Sequence, residues 1–88
     1  MNYESITEQL LGLLEEHGVQ IRKDAMGGGG GGLCRLKDKD LMMIDCDSSS
    51  LETAAACARA VHAVIQDMDG IYLRPVIREF IDKYAADG

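Results

Sequence analysis

The stretch LCRLKDKDLMMID, from Leu33 to Asp45, decides the fold prediction for this 88-residue chain. Two apolar segments, LCRL and LMMI, flank the polar sequence KDKD, an arrangement typical of a β-hairpin. A turn centred on Asp38 and Lys39 predicts four cross-strand pairs: Leu36 with Leu41, Arg35 with Met42, Cys34 with Met43 and Leu33 with Ile44. The hairpin is the element around which the rest of the fold is predicted.

The second hairpin strand is apolar at four consecutive positions, Leu41, Met42, Met43 and Ile44. A strand with one face in water alternates apolar and polar residues, whereas a strand buried on both faces does not. We therefore expect this strand to be central in its sheet and covered on both sides, by helices or by a second subunit. These four residues are the candidate interface.

The segments on either side of the hairpin complete the predicted fold. Apolar residues at helical spacing predict a first helix over Tyr3–His17, and alternation predicts a short strand over Val19–Arg22. After the hairpin, helices are predicted over Leu51–Met68 and from Pro75 onward, separated by an extended piece at Gly70–Leu73. The prediction is one α+β domain over residues 1–88, with about three antiparallel strands in the order α-β-β-β-α-α.

Helix ends carry their own signals. Ser5 with Glu8, and Ser49 with Glu52, have the spacing of capping boxes, and Asn2 is an alternative cap one turn before Ser5. Gly18 is placed to end the first helix in a left-handed conformation.

Six consecutive glycines, residues 27–32, precede the hairpin. A phosphate-binding loop requires Gly-Lys-Ser/Thr directly before a helix. Here the glycines lead into Leu33, Cys34 and Arg35, which are predicted to form a strand. We interpret the run as a flexible connection, and the alternative is a backbone contact with an anion or a peptide.

Composition limits the function classes. The net charge of −6 and the scattered distribution of nine basic residues argue against a nucleic-acid partner. No apolar run approaches the roughly 20 residues of a membrane span, and the acidic start of the chain is unlike a signal peptide. Three cysteines, an odd number, fit free thiols in a reducing compartment, so we expect a cytoplasmic protein without a membrane partner.

Candidate ligand-binding residues lie in two places. Gly32, Cys34 and Arg35 form the first group, in which side chains available for chemistry follow the glycines. Arg74 and Arg78 are four residues apart on one edge of the last helix, where they could hold a carboxylate or a phosphate. We predict no catalytic residue and no cofactor.

No metal-binding motif is present. Cys57 and His62 lie five residues apart on the second predicted helix and diverge by roughly 140° around its axis, so they cannot hold one ion. His17 lies in the last turn of its helix, where a positive charge is favoured. The sequence therefore predicts no metal site.

The segments GGLCRLKDKDLMMID and IYLRPVIREFI, with the alanine-rich helix between them, resemble a group of small uncharacterised bacterial proteins. These share a Gly-Gly-Leu-Cys-Arg hairpin and a final helix with the pattern Pro-x-x-Arg-Glu. The resemblance covers about Val19 to Ile81 and implies no known activity. In element order the chain is also similar to minimal zincin-type metallopeptidase cores, although ETAAACARAVHAV lacks HExxH; this similarity implies a core without the metal site.

The sequence favours a non-catalytic cytoplasmic domain that self-associates or binds a protein partner. Two alternatives stay open. One is a small-ligand-binding or thiol-dependent protein that uses Cys34, Arg35 and the glycine loop. The other is an inactive metallopeptidase-like core.

Overall fold

The computed structural model describes residues 2–29 and 31–85. The chain forms helix α1 (Tyr3–Glu16), strands β1 (Gln20–Asp24), β2 (Gly32–Arg35) and β3 (Asp40–Asp45), then helices α2 (Ser50–Val64) and α3 (Pro75–Ala85), with a short 3₁₀ turn at Met68–Gly70. The predicted α+β class and the order α-β-β-β-α-α are confirmed. Helix α2 ends four residues before the predicted limit, because Ile65 adopts an extended backbone.

The sheet is mixed, so the prediction of a wholly antiparallel sheet is wrong. Its strand order is β1-β3-β2, with β1 parallel and β2 antiparallel to β3. Each of the two connections reverses the chain, so β1 and β3 run in the same direction. They become neighbours because β3 inserts between β1 and β2. Local patterns predict that consecutive strands reverse, but they do not determine which strands lie side by side.

The hairpin register also differs from the prediction, by two residues. The observed pairs are Gly32 with Met43, Leu33 with Met42, Cys34 with Leu41 and Arg35 with Asp40. The turn centres one residue earlier than predicted, and the Leu36 N–H donates to the Lys39 carbonyl over 2.9 Å. This register sets Arg35 beside Asp40, with their side chains 3.6 Å apart, whereas the predicted one set Arg35 opposite Met42.

All three helices contribute to a core on one face of the sheet. Met42 and Ile44 project into that core and are 0% and 6% exposed. Ile21 of β1 and Leu33 of β2 share their face and pack against the same core. Helices α1 and α2 pack on the sheet, whereas α3 packs on these two helices. The strand order confirms the prediction that β3 is central.

Two of the three predicted caps form. The Ser49 hydroxyl accepts the Glu52 N–H over 3.1 Å at the start of α2. Asn2, rather than Ser5, caps α1 by accepting the Ser5 N–H over 2.8 Å, so the box predicted at Ser5 and Glu8 is wrong. Gly18 follows α1 with φ +83°, as expected for a helix that ends in a left-handed residue.

Candidate functional site

No helix within residues 2–29 and 31–85 covers the second face of the sheet. Leu41 and Met43 of β3 project from it and are half-buried, and neither belongs to the core. Cys34, which pairs with Leu41, is exposed on the same face, and Leu36 beyond it is 51% exposed. We call this apolar surface, formed by Cys34, Leu36, Leu41 and Met43, the open face.

The four predicted interface residues divide between the two faces. Leu41 and Met43 lie on the open face, whereas Met42 and Ile44 are buried beneath the helices. An interface on the folded chain can therefore use only the first two. The prediction assigned both sets together because the apolar run does not reveal which face is covered by the chain's own helices.

One end of the open face is closed by the segment between β1 and β2. This segment and the turn after β3 together bring backbone N–H groups to the carboxylate of Asp45, the last residue of β3. The Met26 and Asp47 N–H groups each donate to Asp45 Oδ1 over 2.9 Å. The Gly27 N–H donates to Asp47 Oδ2, also over 2.9 Å. Asp45 is only 1% exposed, so the segment forms a cover over its side chain.

The electrostatics of Asp45 follow from that cover. Burial by itself raises the pKa of a carboxyl group, but here the hydrogen bonds outweigh burial. The backbone N–H groups of Met26 and Asp47, the Ser48 side chain and the Gly29 backbone together lower the pKa of Asp45 to about 2. The carboxylate is therefore ionised and held by donors, so it is a structural anchor rather than a proton donor.

The glycine run has a steric role in this cover. Gly31 has φ +75°, and a Cβ built on it would overlap the Met43 carbonyl oxygen and lie 3.1 Å from the Asp45 N. Gly28 has φ +91°, and a Cβ built on it would lie 3.9 Å from the Asp47 carbonyl oxygen, an ordinary contact distance. Gly31 therefore lets the chain cross closely over the end of β3. Gly30 lies outside the described residues, and the flexibility expected of residues 27–32 stays a prediction.

Arg35 is engaged within the fold. Its guanidinium donates to the Ala63 carbonyl in the last turn of α2 over 2.9 Å and lies 3.6 Å from the Asp40 carboxylate. It thereby provides a partner for a carbonyl at the C-terminal end of α2, where carbonyls lack intrahelical donors. Arg35 ties the hairpin to α2, whereas Gly32 beside it is half-buried in its pairing with Met43.

The two predicted anion-binding arginines have different surroundings. Arg78 contacts the Asp69 carboxylate at 3.3 Å and the Asp82 carboxylate at 3.5 Å. Arg74 precedes α3, and its carbonyl accepts the Ile77 and Arg78 N–H groups. Its side chain lines a separate cavity of about 220 Å³. Arg78 therefore already has carboxylate partners.

The three thiols have different environments. Cys34 and Cys46 are exposed, whereas Cys57 lies in the core, where burial raises its pKa to about 12. The His17 ring Nδ1 lies 2.9 Å from the Leu13 carbonyl of its own helix. Across residues 2–29 and 31–85, no group of three or more His, Cys, Asp or Glu side chains is arranged to hold a metal ion.

Comparison with models of protein families, with curated proteins and with solved structures gave no significant match. The resemblance to the small bacterial proteins and to metallopeptidase cores therefore stays a prediction. In the part of the chain that the structure describes, no helix combines the length and apolar character needed to cross a membrane.

Sequence reasoning missed two features of the site. The role of Asp45 depends on residues about 20 positions earlier, which a local pattern does not connect to it. The available signal in the sequence was that an acidic residue, Asp45, ends an apolar strand and is followed two positions later by a second acidic residue, Asp47. The exposed edge of β1 was missed because the strand order was unknown.

Proposed function

We propose that this protein is a non-catalytic interaction domain that self-associates through the open face. The observation that carries the proposal is that β3 is apolar on both faces, whereas the helices cover one of them. Both faces of β3 are apolar, but the chain's helices bury only Met42 and Ile44. A second layer is needed to remove Leu41 and Met43 from water, and burying apolar area is the main driving force for association.

A second copy of the chain is a suitable occupant because the face carries charges of both signs at its rim. In register, Arg22 pairs with Met43 and Asp24 pairs with Asp45, so Arg22 and Asp24 project on the open side of β1. A two-fold arrangement can bring Arg22 of one copy to Asp24 of the other around the apolar centre. Self-complementarity of this kind is required of a two-fold interface.

The structure offers less support for the two alternatives. A thiol-dependent activity would use Cys34, which is accessible, but Arg35 is engaged by Ala63 and Asp40. A metallopeptidase-like core requires the second helix to pack on the hairpin, and α2 does contact both β2 and β3. Within α2, Cys57 is buried and His62 is exposed, so these two side chains cannot bind one metal ion together. Both alternatives remain predictions.

The exposed thiols support a reducing, cytoplasmic location as part of the same proposal. Cys34 and Cys46 are both free and accessible, and neither is paired in a disulfide. Exposed thiols are maintained in reducing compartments.

Alkylation of the native thiols tests the proposal with an internal control. Cys34 lies on the open face, whereas Cys46 lies beyond the end of β3, so self-association should protect only Cys34. Between about 1 μM and about 100 μM protein, we expect the rate of Cys34 alkylation relative to Cys46 to fall about five-fold, by mass action. Peptide mass spectrometry after a brief iodoacetamide pulse measures both rates, and Cys57 should react slowest because it is buried.

A matched pair of variants completes the test. Leu41→Lys introduces a charge at the centre of the open face and should abolish the concentration dependence. Tyr72→Lys introduces the same charge at a side chain that is 84% exposed outside that face and should preserve it. A Cys34-to-Cys46 ratio that does not change with concentration in the wild type would contradict self-association. Equal alkylation of Cys34 and Cys57 would remove the support for a reactive Cys34.

A further inference from the structure

In the part of the chain that the structure describes, strand β1 has one edge without a neighbouring strand. The Asp24 carbonyl accepts the Cys46 N–H over 2.9 Å, so the backbone groups of Asp24 point towards β3. Because these groups alternate in direction along a strand, the N–H and C=O groups of Ile21 and Lys23 point away from the sheet. Within the described ranges, neither residue makes a backbone hydrogen bond outside the sheet. The edge is therefore available for pairing.

A groove of about 1010 Å³ follows this edge. Its walls come from α1, through Leu11 and Glu15, and from the hairpin, through Leu36, Lys39 and Leu41, while β1 itself forms the floor. Most protein edges of this kind are shielded by charges, bulges or a covering segment. Here charged side chains are present, but together with apolar ones they line an open groove beside the edge.

The charge of the groove is opposite to that of the molecule. Arg22, Lys23 and Lys39 line it against the single carboxylate of Glu15, in a chain with net charge −6. None of the three cations takes part in an ion pair with another described residue. The groove is thus a local cationic site, complementary to an acidic partner.

We propose that the β1 edge binds an extended acidic segment of a partner protein, which adds to the sheet as a fourth strand. Outward backbone groups of Ile21 and Lys23 provide hydrogen bonds, as in other cases of strand addition. The inference goes beyond the proposed self-association, because it uses the backbone edge of β1, although Leu36 and Leu41 belong to both the groove and the open face.

A second copy of β1 is a poor occupant of the same edge. Antiparallel pairing of the two strands over their full length would place Arg22 opposite Arg22 of the other copy. Like charges directly opposite each other destabilise a strand pair. An acidic segment places a carboxylate opposite Arg22 instead. Charge therefore favours an acidic partner over a second copy of the chain at this edge.

The two sides of β1 predict the pattern of the bound segment. Residues aligned with Ile21 face α1 and meet Leu11, which favours apolar side chains, although Lys23 projects on this side as well. Residues aligned with Arg22 face the opposite side, towards Lys39, which favours Asp or Glu. The expected segment therefore alternates apolar and acidic residues.

An amide-resolved NMR titration tests the inference, with a blocked octapeptide of alternating Glu and Val as the probe. We expect saturable binding in which the Ile21 and Lys23 amides gain protection from exchange, whereas the Arg22 amide, directed towards β3, changes little. The corresponding Lys and Val peptide should not bind. Arg22→Glu should raise the dissociation constant at least about ten-fold, because attraction becomes repulsion.

Arg59→Glu is the matched control, because it makes the same charge change at an exposed position on α2. It should leave the dissociation constant within about two-fold of wild type, as expected for a charge remote from the contact. Circular dichroism checks that both variants are folded. The inference is overturned by the absence of saturable binding at millimolar peptide. It is also overturned by equal effects of the two variants, or by protection that omits Ile21 and Lys23.

Discussion

Alanine at position 31 will strongly destabilise the protein. Gly31 has a left-handed backbone, and an added Cβ would overlap the Met43 carbonyl oxygen. We expect the free energy of unfolding to fall by about 2–5 kcal/mol, combining about 1–2 kcal/mol for a left-handed non-glycine residue with about 1–3 kcal/mol for steric overlap. Urea unfolding followed by circular dichroism measures the change.

The adjacent glycine provides the control for this variant. Gly32 does not have a positive φ, and a Cβ built there meets no described atom within 4 Å. Gly32→Ala should lie within about 1 kcal/mol of wild type, because alanine fits its backbone and restricts the unfolded chain. Equal stability of the two variants would show that the close crossing over β3 does not form.

Removing the Asp45 carboxylate will have the second large effect. Asp45→Ala leaves the Met26 and Asp47 N–H groups without the acceptor that they share. Both hydrogen bonds are part-buried, and a donor that loses its acceptor there is unfavourable. We expect the melting temperature to fall by about 10 °C or more, a large change for a domain of this size. Thermal unfolding at pH 7 measures it.

The pH dependence of the Asp45 contribution has a defined sign. The pKa of Asp45 is lowered from 3.8 to about 2 in the folded chain, so the folded state favours the ionised carboxylate. Its contribution is fully present above pH 4 and is lost as the pH falls towards 2. The difference in unfolding free energy between wild type and Asp45→Asn should therefore shrink over that interval.

The control for the titration is an exposed carboxylate in the hairpin turn. Asp38→Asn should have an unfolding free energy close to that of wild type, since Asp38 is exposed and forms no ion pair with a described residue. A pH-independent difference for Asp45→Asn would contradict the assignment of Asp45 as an ionised anchor.

Features set by neighbouring residues could be predicted from the sequence. The apolar spacing of α1, the cap at Ser49 and the apolar run of β3 each arise from contacts within a few positions. The hairpin was predicted for the same reason. The register of the hairpin could not be predicted, because KDKD allows a turn at either of two centres. The contact between Arg35 and Asp40, which fits only one of these registers, forms once the hairpin has folded.

Features set by distant residues could not be predicted. The neighbour of β3 on its second side is β1, and only the assembled sheet determines this. Asp45 is bound by Met26, 19 residues earlier, through a backbone group that the sequence does not distinguish from any other. For the same reason the run of glycines suggested only a spacer, although Gly31 has a specific contact with Met43.

Sedimentation velocity of the wild-type chain, over a concentration series, tests the central claim most directly. The claim is that a second copy covers the open face. We predict a shift from the 9.6 kDa monomer towards a species of twice that mass as concentration rises. Leu41→Lys should keep the monomer value throughout, and Tyr72→Lys should behave as wild type. A wild-type chain that stays monomeric up to about 1 mM would contradict the claim, because a dissociation constant above that value corresponds to less than about 4 kcal/mol of binding free energy.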